Sequence, residues 1–188
     1  MKTMKRILLV LAASTAAVLA LGASAQAGTV TEGFENGLGN WVPADDGIDP
    51  DAAITTSTDK AYEGAYSLAI HLGGMQDDGT AWVSAPVSAA PGSTVRVDLS
   101  FQLWSDEDSW ANGWPVVAHA GVTAPAAEED FTIIGRTEKW VGWKEFAYTA
   151  DVTVGADGTA WVSFGTSVTW ETPKTLHFDA VTVTTTGL

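Results

Sequence analysis

The chain has 188 residues, with nine Lys/Arg against 23 Asp/Glu, a formal charge of −14, nine Trp and no Cys. So acidic a surface repels phosphate backbones and argues against a nucleic-acid partner; acidic polysaccharides are disfavoured less strongly, because one basic spot can override net charge. Without cysteine, neither a disulfide framework nor a lipid-modified cysteine is available.

Taken in chain order, the first 27 residues predict a secretory signal peptide. Lys2, Lys5 and Arg6 form a basic start, Ile7 to Leu21 is an apolar run, and Ala23-Ser24-Ala25-Gln26-Ala27 is a small-residue segment with cleavage after Ala25 or Ala27. A retained anchor needs nearer ~20 apolar residues, and no later stretch is long enough to span a bilayer. The expectation is a monomeric protein exported to the periplasm or the medium. Cleavage takes the charge to −17, six Lys/Arg remaining against 23 Asp/Glu. Residues 28–188 then make one domain, long enough for a core of its own.

That domain reads as β throughout. Strands are predicted near Val30–Glu35, Ala53–Ser57, Tyr66–Leu72, Ala81–Ser84, Thr94–Trp104, Trp114–Val122, Trp143–Ala150, Ala160–Thr166 and Thr175–Thr184, with turns at Asp78-Gly79, Pro91-Gly92 and Asp157-Gly158. No window keeps a 3.6-residue apolar period over three turns, so no long helix is expected, only one turn within Pro125 to Asp130. In Thr94–Trp104, Val95, Val97, Leu99, Phe101 and Leu103 share a core face. Arg96, Asp98, Ser100, Gln102 and Trp104 share the other.

The heptapeptide DGTAWVS occurs twice, at Asp78–Ser84 and Asp157–Ser163. Its flanks do not align at that offset: Tyr66-Ser67-Leu68 falls on Glu145-Phe146-Ala147. Two tandem domains of about 80 residues would also have small cores. The repeat therefore reads as two similar strands of one domain, each entered through an Asp-Gly turn. Trp82 and Trp161 either fill a core face or face a ligand.

In order along the chain, four pieces resemble the jelly-roll carbohydrate-binding modules allied to galactose-binding-like domains, especially families 4, 9 and 22. They are Gly33-Phe34-Glu35 with Gly39-Asn40-Trp41, the segment Thr58 to Leu68, the run AWVSAPVSAAPGSTVRVDLSFQLW and the closing LHFDAVTV. The resemblance implies a β-sandwich jelly roll of about nine strands in two antiparallel sheets. It also implies a structural calcium, whose matching positions are the Gly33 and Tyr62 carbonyls and the Glu35, Asp59 and Asp179 side chains. Calcium takes six to eight oxygens, and three carboxylates would repel one another without a cation.

The implied function is non-catalytic recognition of a polysaccharide of the xylan or β-glucan type. Tryptophan faces stack on pyranose C–H faces, and a few polar groups select hydroxyl orientation. Trp82 stands where these families place a platform tryptophan, although Ala85 replaces the Gln or Glu expected three residues later. Phe131 and Arg136 stand where they add a later aromatic and a cation. Arg96, Gln102 and Trp104 offer a second polar face, Trp110 and Trp114 lie among acids in the loop Ser105–Pro115, and Trp161 shares or does not share the polar face of its strand. Trp143 is expected as core or edge packing.

An enzyme is the less favoured class. Retaining hydrolysis needs two carboxylates about 5.5 Å apart, and nothing pairs Glu145, Glu171 or Asp98. His71, His119 and His177 lack zinc-site spacing, and no nucleophile elbow or phosphate loop is present. Three hypotheses therefore stand: a glycan-binding module, a structural or adhesive sandwich without a sugar site, and a small glycan hydrolase or lyase.

Overall fold

A computed structural model describes residues 28–47, 52–107 and 112–188; the segment expected to be a signal peptide and Trp110 lie outside the described residues. Eleven strands follow in order: β1 Gly28–Glu32, β2 Val42–Asp46, β3 Ala53–Ser57, β4 Ser67–Leu72, β5 Thr80–Ser88, β6 Thr94–Ser105, β7 Pro115–Gly121, β8 Thr132–Arg136, β9 Gly142–Thr153, β10 Thr159–Ser167 and β11 Lys174–Gly187. A 3-10 turn, Glu128–Asp130, precedes β8.

The strands pair antiparallel in two sheets. Sheet A runs β3-β4-β11-β6-β9, with β1 added to β11 beyond the end of β4; sheet B runs β2-β5-β10-β7-β8. The sandwich matches the all-β, two-sheet expectation. The two strands beyond the nine expected, β2 and β8, are the two edges of sheet B. Their sequences, VPADD and TIIGR, carry a Pro and a Gly that blur a period-2 pattern and that an edge position tolerates.

The core lies where strand alternation directs it. Val95, Val97, Leu99, Phe101 and Leu103 of β6 are all buried, while the intervening side chains are exposed or half-buried. Phe101 stacks on Phe164 of the opposite sheet at 4.8 Å and meets Phe178 at 5.5 Å, and Trp41 closes edge-on against Phe164 at 4.9 Å. Aromatic pairs of this kind contribute about 0.5–1.5 kcal/mol beyond their burial. They clamp the two sheets and leave two outer faces on which a site can be built.

Candidate functional site

The two DGTAWVS copies are neighbours on sheet B. In the β5–β10 ladder Ser84 lies opposite Ser163, Trp82 opposite Gly165, and Trp161 opposite Pro86. The serine hydroxyls bond at 2.7 Å, so the copies form a local twofold about that pair. In β5 Ala81 and Val83 enter the core, and in β10 Ala160 and Val162 do. Strand alternation therefore sends Trp82, Ser84, Trp161 and Ser163 to the outer face.

One half of that face is covered by the chain itself. Residues 122–131 cross it, anchored by Glu128 N donating to Asp46 Oδ2 at 2.8 Å and by Asp130 Oδ2 accepting from Ala126 N at 2.7 Å and Ala127 N at 3.2 Å. Those two N–H groups hold the Asp130 carboxyl below its ordinary range. His119 bridges both arms of the crossing, with Nδ1 2.9 Å from the Asp130 carbonyl oxygen and Nε2 3.1 Å from that of Thr123. Phe131 then closes edge-on against Trp82 at 5.2 Å. Trp82 is left 2% exposed, which corrects the expectation of an open platform at that residue. Trp161, beyond the crossing, stays half-buried.

The aromatic that does reach a recess on this face is Phe131. With Val117 and Ile133 it forms the apolar wall of a cavity of about 720 Å³. Gln76 and Ser167 add neutral polar groups, and Asp46, Asp77, Asp78, Glu128 and Glu129 add carboxylates; no cationic side chain lines it. The acids of the 76–78 turn and the Glu128–Asp130 turn were read from sequence only as turn residues, not as site residues, because turn acids look alike until the fold converges them.

The remaining expected contacts fall elsewhere. Trp104 and Gln102 lie on the outer face of sheet A, with Trp104 opposite both His177 and Trp143. Arg96 is on that face too, but its guanidinium is paired with Asp151 at 2.9 and 3.2 Å, and Asp98 accepts from Thr149 Oγ1 at 2.7 Å. Arg136 donates to the Gly113 carbonyl at 3.0 Å and pairs with Glu138 at 3.3 Å, which ties a loop. Trp114 is 0% exposed and corrects the loop-surface expectation: its backbone N–H donates to Thr137 Oγ1, and its ring packs under the Lys174 ammonium at 5.4 Å. Trp143 packs edge-on against Trp104 at 5.8 Å. The expected residues are thus divided between two opposite faces and the core.

Of the five expected calcium positions, four meet where β1, the 60s loop and β11 join. β11 bulges between Asp179 and Thr182. The fully buried Asp179 accepts from Tyr62 N at 2.7 Å and Glu63 N at 3.0 Å through Oδ2, and a Cβ on Gly33 would stand 3.7 Å from Oδ1. Glu35 Oε1 accepts from Ala65 N and Tyr66 N, both at 2.9 Å. Asp59 instead lines a recess with Lys60, Trp104 and His177. Among the described residues no group of three or more His, Cys, Asp or Glu is placed so that it could hold a metal ion. Asp179 Oδ1 also accepts from Ala180 N at 2.7 Å, so buried Asp179 and exposed Glu35 are both met by backbone N–H groups, and among the described residues no cationic side chain pairs with either.

No protein-family model matches the chain, and no curated protein matches it in sequence. Solved structures do. The chain is similar to a cleaved adhesin domain of Lys-gingipain from Porphyromonas gingivalis, at 15% identity and a TM-score of 0.54, over 83% of this chain and 97% of that one. It is similar to TmCBM61 in complex with β-1,4-galactotriose, at 16% identity and a TM-score of 0.53, over 80% and 92%. It is also similar to the CBM22-1 xylan-binding domain of Xyn10C from Paenibacillus barcinonensis, at 10% identity and a TM-score of 0.53, over 85% and 94%. The fold is the jelly-roll sandwich that these carbohydrate-binding modules share.

Proposed function

We propose that this chain is an exported, non-catalytic glycan-binding protein that takes a neutral polysaccharide of the xylan or β-glucan type in the sheet B recess. The observation that carries the reading is Phe131, fixed against buried Trp82 while facing a cavity of about 720 Å³ bordered by carboxylates and an amide. A ring held edge-on by a second ring loses little freedom when a pyranose stacks on it. Asp77, Asp78 and Glu129 accept hydroxyl protons, and Gln76 both donates and accepts. Five carboxylates without a cation repel uronic acids, so the charge of the recess favours uncharged chains. Two of the three fold relatives are carbohydrate-binding modules, one holding a galactotriose and one named for xylan.

Glu35 and Asp179, with the Gly33 and Tyr62 carbonyls, would hold a structural calcium, whose positive charge would offset the two carboxylates and fasten both terminal strands. Co-sedimentation with insoluble xylan and β-glucan tests the binding reading. Wild-type protein is expected in the pellet and Phe131→Ala mainly in the supernatant; wild-type protein left wholly in solution would remove the proposal.

A further inference from the structure

We propose a second sugar subsite on the opposite sheet, taking one uncharged pyranosyl residue of a glycan. It extends the glycan-binding reading above, yet it shares no residue with the Phe131 recess.

The sequence places a row of side chains across four strands of sheet A: Ala69, His177, Trp104 and Trp143 lie directly opposite one another. An arch of residues 59–63 passes over the row. It is pinned by Tyr62 N and Glu63 N donating to Asp179 and by Ser67 Oγ donating to the Lys60 carbonyl at 2.6 Å. Tyr62 meets Trp143 edge-on at 5.6 Å, and the Lys60 ammonium stands 4.7 Å over the Trp104 ring. Between arch and row is a recess of about 500 Å³ with Trp104 and His177 in its lining.

Among the described residues, Lys174 and Asn112 do not use all their polar groups. The Lys174 side chain is 5% exposed, and an ammonium offers three donors. One goes to the Asn112 carbonyl at 2.7 Å; Glu107 Oε2 at 3.9 Å is beyond hydrogen-bond range, and Trp114 offers only its face at 5.4 Å. Asn112 Oδ1 is buried with no partner among the described residues. Buried donors and acceptors left open on one wall are costly, and a ligand with hydroxyls satisfies both kinds.

Charge then selects the class. Lys60 and Lys174 oppose a cationic ligand, while Asp59, Asp106 and Glu107 oppose an anionic one. A neutral ring accepts from the ammonium groups, donates to the carboxylates and packs its C–H face against the part of the half-buried indole that the Lys60 ammonium does not cover. The charged groups of the sheet B recess are all carboxylates, so the two sites differ in chemistry as well as place.

Calorimetric titration of the intact mature protein with xylohexaose, and separately with β-1,4-galactotriose, tests this. At least one sugar is expected to give two sites per chain. Trp104→Ala is expected to weaken one site at least tenfold and spare the other, and Phe131→Ala to do the reverse. Thr175→Trp, which fills the recess without removing a core side chain, should reproduce Trp104→Ala if that variant folds poorly. A single site lost with Phe131→Ala and unmoved by Trp104→Ala and Thr175→Trp would overturn the second subsite and leave the first. A single site with the opposite response would keep this subsite and remove the Phe131 recess. Wild-type protein that binds neither sugar overturns both.

Discussion

The two copies of DGTAWVS are identical in sequence, adjacent in one sheet and related by a local twofold, yet their tryptophans have different environments. Trp82 is sealed under Phe131 and residues 122–131; Trp161, two positions before the other serine of the pair, is only half covered. Local sequence therefore sets the strand and the face. What lies above the face sets burial, and that comes from a separate segment, residues 122–131, between the copy ending at Ser84 and the copy beginning at Asp157. The comparison teaches that a platform residue cannot be read from its own strand alone.

The largest test of this difference is stability. Trp82→Ala is expected to cost about 3–5 kcal/mol, as a large aromatic truncated in a packed site. Trp161→Ala should cost about 1–2 kcal/mol, because part of its surface already meets water. Urea unfolding of both variants measures the gap, and equal losses would mean that the crossing segment does not seal Trp82.

A smaller effect separates both indoles from the terminal-strand junction. If Glu35 and Asp179 hold calcium, a chelator should lower the melting temperature by the equivalent of about 2.7 kcal/mol for an ion present at a hundred times its dissociation constant. The loss should be the same in wild type, Trp82→Ala and Trp161→Ala, since the sites share no contacts. It should vanish in Asp179→Asn; a melt unchanged by chelation in the wild type would remove the ion from the account.

The smallest expected effect is on pH and belongs to sheet A alone. Burial pushes the His177 imidazole below its ordinary value of 6.5, with Asp59 acting in the opposite direction. The folded state thus prefers neutral His177. Its contribution is fully present above about 6.5, the unfolded value, and is lost as pH falls toward the lower folded value. His177→Gln should flatten that acid limb without altering the difference between Trp82→Ala and Trp161→Ala. An unchanged limb would show that the histidine is not the titrating group.

Much of the fold was legible in the sequence because alternation in strands such as Thr94–Ser105 follows one rule, and the buried positions obey it. The edge strands β2 and β8 were not, since an edge tolerates Pro43 and Gly135 where a central strand does not. The site was less legible. Phe131 could be named by resemblance, but its acidic partners sit in separate turns that meet only after folding. Trp114 misled for the same reason: acids surround it in sequence, while Thr137 and Lys174 enclose it in space. Asp59 was grouped with Glu35 and Asp179 by the family resemblance, and the arch carries it instead to Trp104 and His177.

The central claim is that a neutral glycan binds beside Phe131. Affinity electrophoresis of the mature protein in gels containing xylan, β-glucan or mannan tests it most directly. Retardation of the wild type by at least one of these glycans is predicted. Phe131→Ala should be retarded roughly tenfold more weakly, matching about 1.4 kcal/mol of lost stacking. Migration unaffected by all three glycans, or retardation that Phe131→Ala leaves unchanged, would contradict the account.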